Sequence, residues 1–199
     1  MFGDPIVNPK GWKSKFISEI CSLVRGSSPR PQGDSRYFGG PVPRLMVADI
    51  TRDGWFVTPK IDTLTVEGAK KSRPTKKDTV VMAVSGNVGL AAMLMTDACI
   101  HDGFVAFNEM DSSIDSIYFL SILRSMKSVH VKATTGAIFK NTTTSDIKEI
   151  KIPIPPIDLQ TKYSNLFKKI FLKQSMLKES ELNLEKFTKA IQSNFFKTG

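Results

Sequence analysis

Residues 134–160 read TTGAIFKNTTTSDIKEIKIPIPPIDLQ. A glycine-centred polar loop leads through a short helical turn, Ser145 to Glu149, into an alternating Ile–Lys–Ile–Pro–Ile strand. Pro155 and Pro156 then stop the strand, because proline fixes φ and offers no N–H to a ladder. Beyond them the hydrophobic period changes to seven: Tyr163, Ile170, Leu177, Leu184 and Ile191 recur at strict seven-residue steps. The chain therefore divides into a globular domain, residues 1–156, and a helix, residues 157–199.

The complementary heptad positions are Leu166, Lys173, Ser180, Phe187 and Asn194. One seam position is uniformly apolar and the other mixed, so the helix packs against a partner without being an ideal zipper. A helix of about 38 residues is about 55 Å long, more than the domain's own core requires. Tyr163, Leu166, Ile170, Leu177, Leu184, Phe187 and Ile191 are the residues expected to face a second helix.

Upstream, short apolar runs alternate with turn signals. Strands are expected at 45–50, 54–58, 79–84, 90–95 and 103–107. Turns are expected at Pro31–Gly33, Gly39–Gly40, Asp53–Gly54, Ser85–Gly86 and Asp102–Gly103. Two stretches read as helices: 12–23, and 116–128, where Tyr118, Phe119, Ile122, Leu123 and Met126 share a face. The fold class is α+β: a globular domain with a twisted, mainly antiparallel sheet, followed by a long C-terminal coiled-coil helix.

The 199 residues carry 28 Lys and Arg against 19 Asp and Glu, a formal net charge of +9. That balance favours a polyanionic partner, since cations that neutralise phosphates release counterions. It is equally compatible with a merely basic protein. Eight of the basic residues and only four of the acidic ones fall in 156–199, so the excess is spread over both parts. No apolar run approaches the roughly 20 residues that span a bilayer, and the N-terminus lacks a basic-then-apolar leader, so a cytoplasmic protein is expected. Cys21 and Cys99 lie far apart and read as buried thiols.

No catalytic constellation emerges. His101 and His130 lack metal-ligand spacing, and there is no P-loop, nucleophile elbow or dinucleotide fingerprint. Asn8-Pro9 does not continue into the Asn-Pro-Pro-aromatic motif of an adenine methyltransferase. Asp49, Asp53 and Asp62 could mimic nuclease carboxylates, but no Glu-x-Lys partner follows a strand near them, and Asp53-Gly54 is an ordinary turn pair. No enzyme activity and no metal site are expected.

Four places suit DNA. The loop RGSSPRPQGDSR carries Arg25, Arg30, Gln32 and Arg36; Arg can pair bidentately with guanine and Gln with adenine. The basic run KKSRPTKK offers Lys70, Lys71 and Arg73 to phosphates, although a solvated charged loop would read the same way. Ser85 and Asn87 sit in a tight turn with short side chains that a groove can admit. Lys132, Thr135, Lys140, Asn141 and Thr142 lie in the polar loop KATTGAIFKNTTT.

The order of loop, turn, strand, Pro-Pro, Gln160 and heptads resembles the end of a target recognition domain in the specificity (S) subunit of type I restriction–modification enzymes. FGDPIVNPKGW, residues 2–12, resembles the junction phrase that precedes such a domain. Phe16, Ile20, Gly26, Ser28 and Pro29 match the pattern that follows it. KKDTVVMAVSGNVGLAAML, residues 76–94, resembles the family's strand–turn–strand, with Lys77 where a glycine is usual, and the Gly136 neighbourhood resembles the segment before the terminal strand.

The resemblance implies a half-size specificity protein: one recognition domain and one spacer helix, reading half of a bipartite double-stranded DNA target. It implies docking to a methyltransferase (M) subunit and, through it, to a restriction (R) subunit. S-adenosylmethionine would reside on the methyltransferase, with no cofactor on this chain. The second recognition half would join through antiparallel helix pairing, either as a homodimer or within a longer subunit. The alternative from another class is a coiled-coil scaffold that binds protein without reading DNA.

Overall fold

The computed structural model describes residues 1–130 and 143–196. Two units are distinct, Met1–Ile157 and Asp158–Gly199. The first opens with FGDPIVNPKGW, whose residue types close a compact loop. Asp4 Oδ1 accepts the N–H groups of Ile6 and Val7. Asn8, at φ 48°, both donates to the Trp12 carbonyl at 2.7 Å and accepts from the Trp12 N–H at 3.0 Å. Gly3 is left-handed at φ 82°, and a Cβ there would stand 2.7 Å from the Pro9 ring.

Residues 12–23 do not form the single expected helix. They give β1 (Ser14–Phe16), one helical turn α1 (Ile17–Ile20) and the start of β2 (Ser22–Arg25). Long-range pairing overrides local propensity here. β3 (Phe38–Leu45) follows and α2 (Val47–Asp53) succeeds it, so the expected strand at 45–50 is instead a strand end and a helix. Asp49 is buried and accepts from the N–H groups of Met46 and Lys60, which holds the first turn of α2. Gly39–Gly40 is not a turn but an irregularity inside β3, where the register against its partner shifts between Phe38 and Val42. A Cβ on Gly40 would come within 2.4 Å of the Thr65 backbone.

β4 (Phe56–Val57) and β5 (Asp62–Leu64) lead to α3 (Val66–Lys70), capped by Thr65, whose hydroxyl accepts the Gly68 N–H. β6 (Arg73–Thr75), β7 (Val80–Ala83), β8 (Ala91–Leu94), β9 (Ala98–Ile100) and β10 (Phe104–Asn108) precede α4 (Ser116–His130). The unit closes with α5 (Thr144–Lys148) and β11 (Lys151–Pro153). At α5, Thr143 and Asp146 exchange capping bonds, the arrangement their spacing favours. Asp115 caps α4 by accepting from Ile117 and Tyr118.

The strands assemble as three sheets, ordered β1-β11, β2-β10-β7-β8-β4 and β5-β3-β9-β6. Most pairs are antiparallel; β3 with β9 and β4 with β8 are parallel. The α+β, mainly antiparallel reading therefore holds, with the strands divided among several sheets. β7 and β8 are buried on both faces and read as unbroken apolar runs, VVMA and AAML. One core cluster joins Leu45, Val57, Val81, Leu94, Ile100 and Phe104 from both larger sheets with Ile50 of α2. Tyr118 ties α4 to the domain's last strand by donating to the Pro153 carbonyl at 3.0 Å.

The second unit is the body of α6 (Ile157–Phe195), 39 residues long. Leu166, Ile170, Leu177, Leu184, Phe187 and Ile191 are exposed along it, and Tyr163 is half-buried. No helix of the described residues is long and apolar enough to cross a membrane.

Candidate nucleic-acid interface

Two of the four segments expected to meet DNA merge into one surface. β2 ends at Arg25, and the following backbone is laid across β9 and β10. Gly26 N–H donates to the Phe104 carbonyl at 2.9 Å and Ser27 N–H to Ile100 at 3.2 Å. Only glycine fits at 26, since a Cβ would stand 2.1 Å from the His101 carbonyl oxygen. Ser72, beside the basic run, donates its hydroxyl to the Ser27 carbonyl at 2.8 Å, and Ser27 donates to Lys71. Lys71 reaches back to the Tyr37 hydroxyl at 2.9 Å, with its ammonium over the Tyr37 ring. Arg25, Arg30, Gln32, Arg36, Lys70, Lys71 and Arg73 are all exposed on this surface.

Several of these cations are held by carboxylates. Asp102 accepts the Ser28 hydroxyl at 2.7 Å and faces the Arg30 guanidinium at 3.5 Å, while its carbonyl accepts Arg25 Nε at 3.0 Å. Asp34 grips Arg36 at 2.6 Å. That hydrogen bond, with the Arg36 backbone N–H, draws the Asp34 carboxyl down to about 2. Lys70 lies 3.8 Å from Glu67. Arg73, on the edge strand β6, makes no ion pair among the described residues.

Beneath the loop lies Arg44, buried and not singled out by sequence. It pairs with Asp62 at 2.5 Å, donates to Ser28 at 3.2 Å and stacks over Phe38. This guanidinium fixes the loop from below; its Nε finds no acceptor. His101 is neutral, because Nδ1 accepts the Gly103 N–H at 2.9 Å. Burial, aided by the Arg44 charge, draws its pKa down. Its 3.7 Å approach to Asp102 is therefore not an ion pair.

The third segment adjoins the first through the β9–β10 turn. Val84 N–H donates to the Gly103 carbonyl, and a Cβ on Gly103 would stand 2.4 Å from Ser85 Oγ. Ser85, Gly86 and Asn87 are exposed. Across this turn lies α4, where the Lys127 ammonium donates to Asn87 Oδ1. Arg124, one turn earlier, stacks on Trp55 at 4.4 Å and donates to the Ala91 and Gly54 carbonyls at 2.7 and 3.1 Å. Sequence reasoning passed over both cations. Their i, i+3 spacing on the polar side of an amphipathic helix was the available signal. The fourth segment, with Lys132, Thr135, Lys140, Asn141 and Thr142, lies outside the described residues.

Lys77 replaces the family's usual glycine without strain: the left-handed residue is its neighbour Asp78, at φ 65°. Among the described residues no group of three or more His, Cys, Asp or Glu could hold a metal ion.

The model of the type I restriction modification DNA specificity domain matches residues 9–186. Among curated proteins, the MjaIX specificity subunit of Methanocaldococcus jannaschii is 24% identical over 193 residues, covering 94% of this chain and 44% of that protein. The HindI specificity subunit of Haemophilus influenzae is 25% identical over 171 residues, covering 81% and 36%. The HsdS subunit from Thermoanaerobacter tengcongensis superposes with a TM-score of 0.63 at 22% identity, over 95% of this chain and 45% of that one. The S subunit from M. genitalium gives 0.54 at 18%, over 93% and 45%. The chain spans less than half the length of the curated relatives it matches.

Proposed function

Because the chain belongs to the type I restriction modification DNA specificity domain family, we propose that it reads one half of a bipartite duplex target and performs no catalysis itself. The observation that carries this is the merging of the Arg25–Arg36 loop with the 70–73 run, bordered by the Ser85–Asn87 turn. Exposed Arg, Lys, Gln and Asn side chains there stand on glycine-tight loops braced by buried Arg44. Such a surface combines cations that position a duplex through its phosphates with planar groups that read base edges.

Methylation and cleavage belong to partners in this reading. A methyltransferase subunit would carry S-adenosylmethionine, a restriction subunit would join through it, and the assembly would act on DNA in the cytoplasm. The exposed heptad row of α6 would pair antiparallel with a second helix, from another copy or from the other half of a longer subunit. That pairing would hold two recognition domains at a fixed separation, as a split target requires.

The test is co-purification with the methyltransferase subunit, then selection from a random duplex library at fixed salt. Enrichment of a defined half-site, or of a palindrome split by a constant spacer, is the expected result. A stable complex without enriched sequence would leave a docking module and remove the recognition role. Neither complex nor enrichment would favour the coiled-coil scaffold.

A further inference from the structure

We propose that Lys127 and Arg124 of α4, with the exposed Ser85–Asn87 turn, form a seat for one backbone phosphate of duplex DNA. The inference rests on the DNA-recognition reading and deepens it by assigning contacts outside the loop surface.

The first observation is charge without compensation. Lys15, Arg30, Arg36, Arg44, Arg52 and Lys76 each stand within 4 Å of an aspartate. Arg124 and Lys127 meet neutral acceptors only, among the described residues: two backbone carbonyls and an amide oxygen. The segment that follows, 128–142, contains Lys132 and Lys140 and no Asp or Glu. Two cations one helical turn apart repel each other. Burial lowers the Arg124 pKa, and burial together with Arg124 lowers that of Lys127. The field of a helix C-terminus accounts for a cation at 127. It does not account for a half-buried guanidinium beside it that lacks a counterion.

The second observation is room and donors. Gly86 is left-handed at φ 68°, and nothing lies within 4 Å of where its Cβ would be. A phosphate can approach that backbone closely. The Lys127 ammonium has three donors; with one spent on Asn87, two are available. Arg124, clamped on Trp55 and two carbonyls, supplies a fixed positive field behind them. A monoanionic phosphodiester relieves the repulsion that the fold builds in. The contact positions the duplex without reading a base, so Lys127 is a positioning residue.

The experiment is anisotropy titration of the full chain against a labelled duplex across a salt series, for wild type, Lys127→Gln, Lys127→Arg and Lys186→Gln. Lys186 lies on exposed α6 and controls for net charge. Loss of one phosphate contact should flatten the slope of log K against log salt by about 0.9. The affinity penalty of Lys127→Gln should shrink about threefold between roughly 50 and 200 mM salt, equally on all sequences. Lys127→Arg should retain the wild-type slope, and so should Lys186→Gln. Wild-type binding with an unchanged Lys127→Gln slope overturns the seat and leaves the DNA reading intact. No wild-type binding at any salt overturns both. Saturable binding of inorganic phosphate that depends on Lys127, with DNA binding indifferent to it, reassigns the pair to a free anion and overturns the proposal.

Discussion

The Asp102 carboxylate accepts the Ser28 hydroxyl at 2.7 Å, binding the β9–β10 turn to the arginine-rich loop. The same carboxylate faces Arg30, so one acid sets the geometry of a surface whose partner is proposed to be a polyanion. Asp102→Ala should cost about 1 kcal/mol in chemical denaturation. Hydrogen exchange should accelerate through 26–34 while the β7–β8 core stays protected.

The acid dependence of Asp102 follows with its sign. The Ser28 hydrogen bond, followed by smaller backbone and charge effects, holds the carboxyl below its ordinary value. Its contribution is complete above the unfolded pKa of about 4 and is lost as pH falls through the lower folded value. Denaturant midpoints of Asp102→Asn should converge on wild type as pH drops through that window. A constant gap would refute the linkage.

Gly26→Ala should be severely destabilising. Its methyl would meet the His101 and Ile100 carbonyl oxygens at 2.1 and 2.6 Å. Ile100 ends the paired strand β9, and the His101 carbonyl accepts the Phe104 N–H of the β9–β10 turn. The loop must lift away, at a cost of about 1–3 kcal/mol, visible as a lower thermal midpoint. Gly33, with nothing within 4 Å of its Cβ position, lacks such a clash; its left-handed φ alone makes Gly33→Ala the milder variant.

Tyr118→Phe isolates the join between α4 and the last strand. The hydroxyl is buried, donates to the Pro153 carbonyl, and burial raises its pKa. Removing it leaves a carbonyl without that partner, for a loss of about 1–2 kcal/mol. The Phe2 ring, 4.7 Å from Tyr118, should hold its place.

Leu177→Glu with Leu184→Glu tests the helix. Both residues are about two-thirds exposed, at 65% and 66%, so the folded chain should tolerate the change. Light scattering should show the loss of any helix-paired assembly, together with loss of binding to a split target. Unchanged mass and partner binding would end the spacer assignment.

Much was legible where neighbouring residues decide conformation. The short helical turn near 145–149, the strand at 151–153, the Pro-Pro break and the heptad helix all follow from chemistry within a few residues. The stretch 12–23 departs from its local helical pattern because its partner strand, β11, comes from the far end of the domain. The passage from β3 into α2 is not legible locally, because apolar 45–50 suits strand or helix equally until packing chooses. At the proposed interface, residue types were readable and their restraints were not. Arg30 and Asp102 are distant in sequence, and nothing local announces that they meet.

Taken alone, the sequence determined the division near the double proline and the long seven-residue row, because periodicity and proline act locally; the order of its motifs carried the resemblance to the family. Tertiary structure decided that 25–36 and 70–73 share one surface, that Arg44 lies buried beneath it, and that Arg124 and Lys127 stand without carboxylates among the described residues. Those facts depend on strand register and loop crossing. Which charges meet is settled by packing over long separations, where local propensity carries no information.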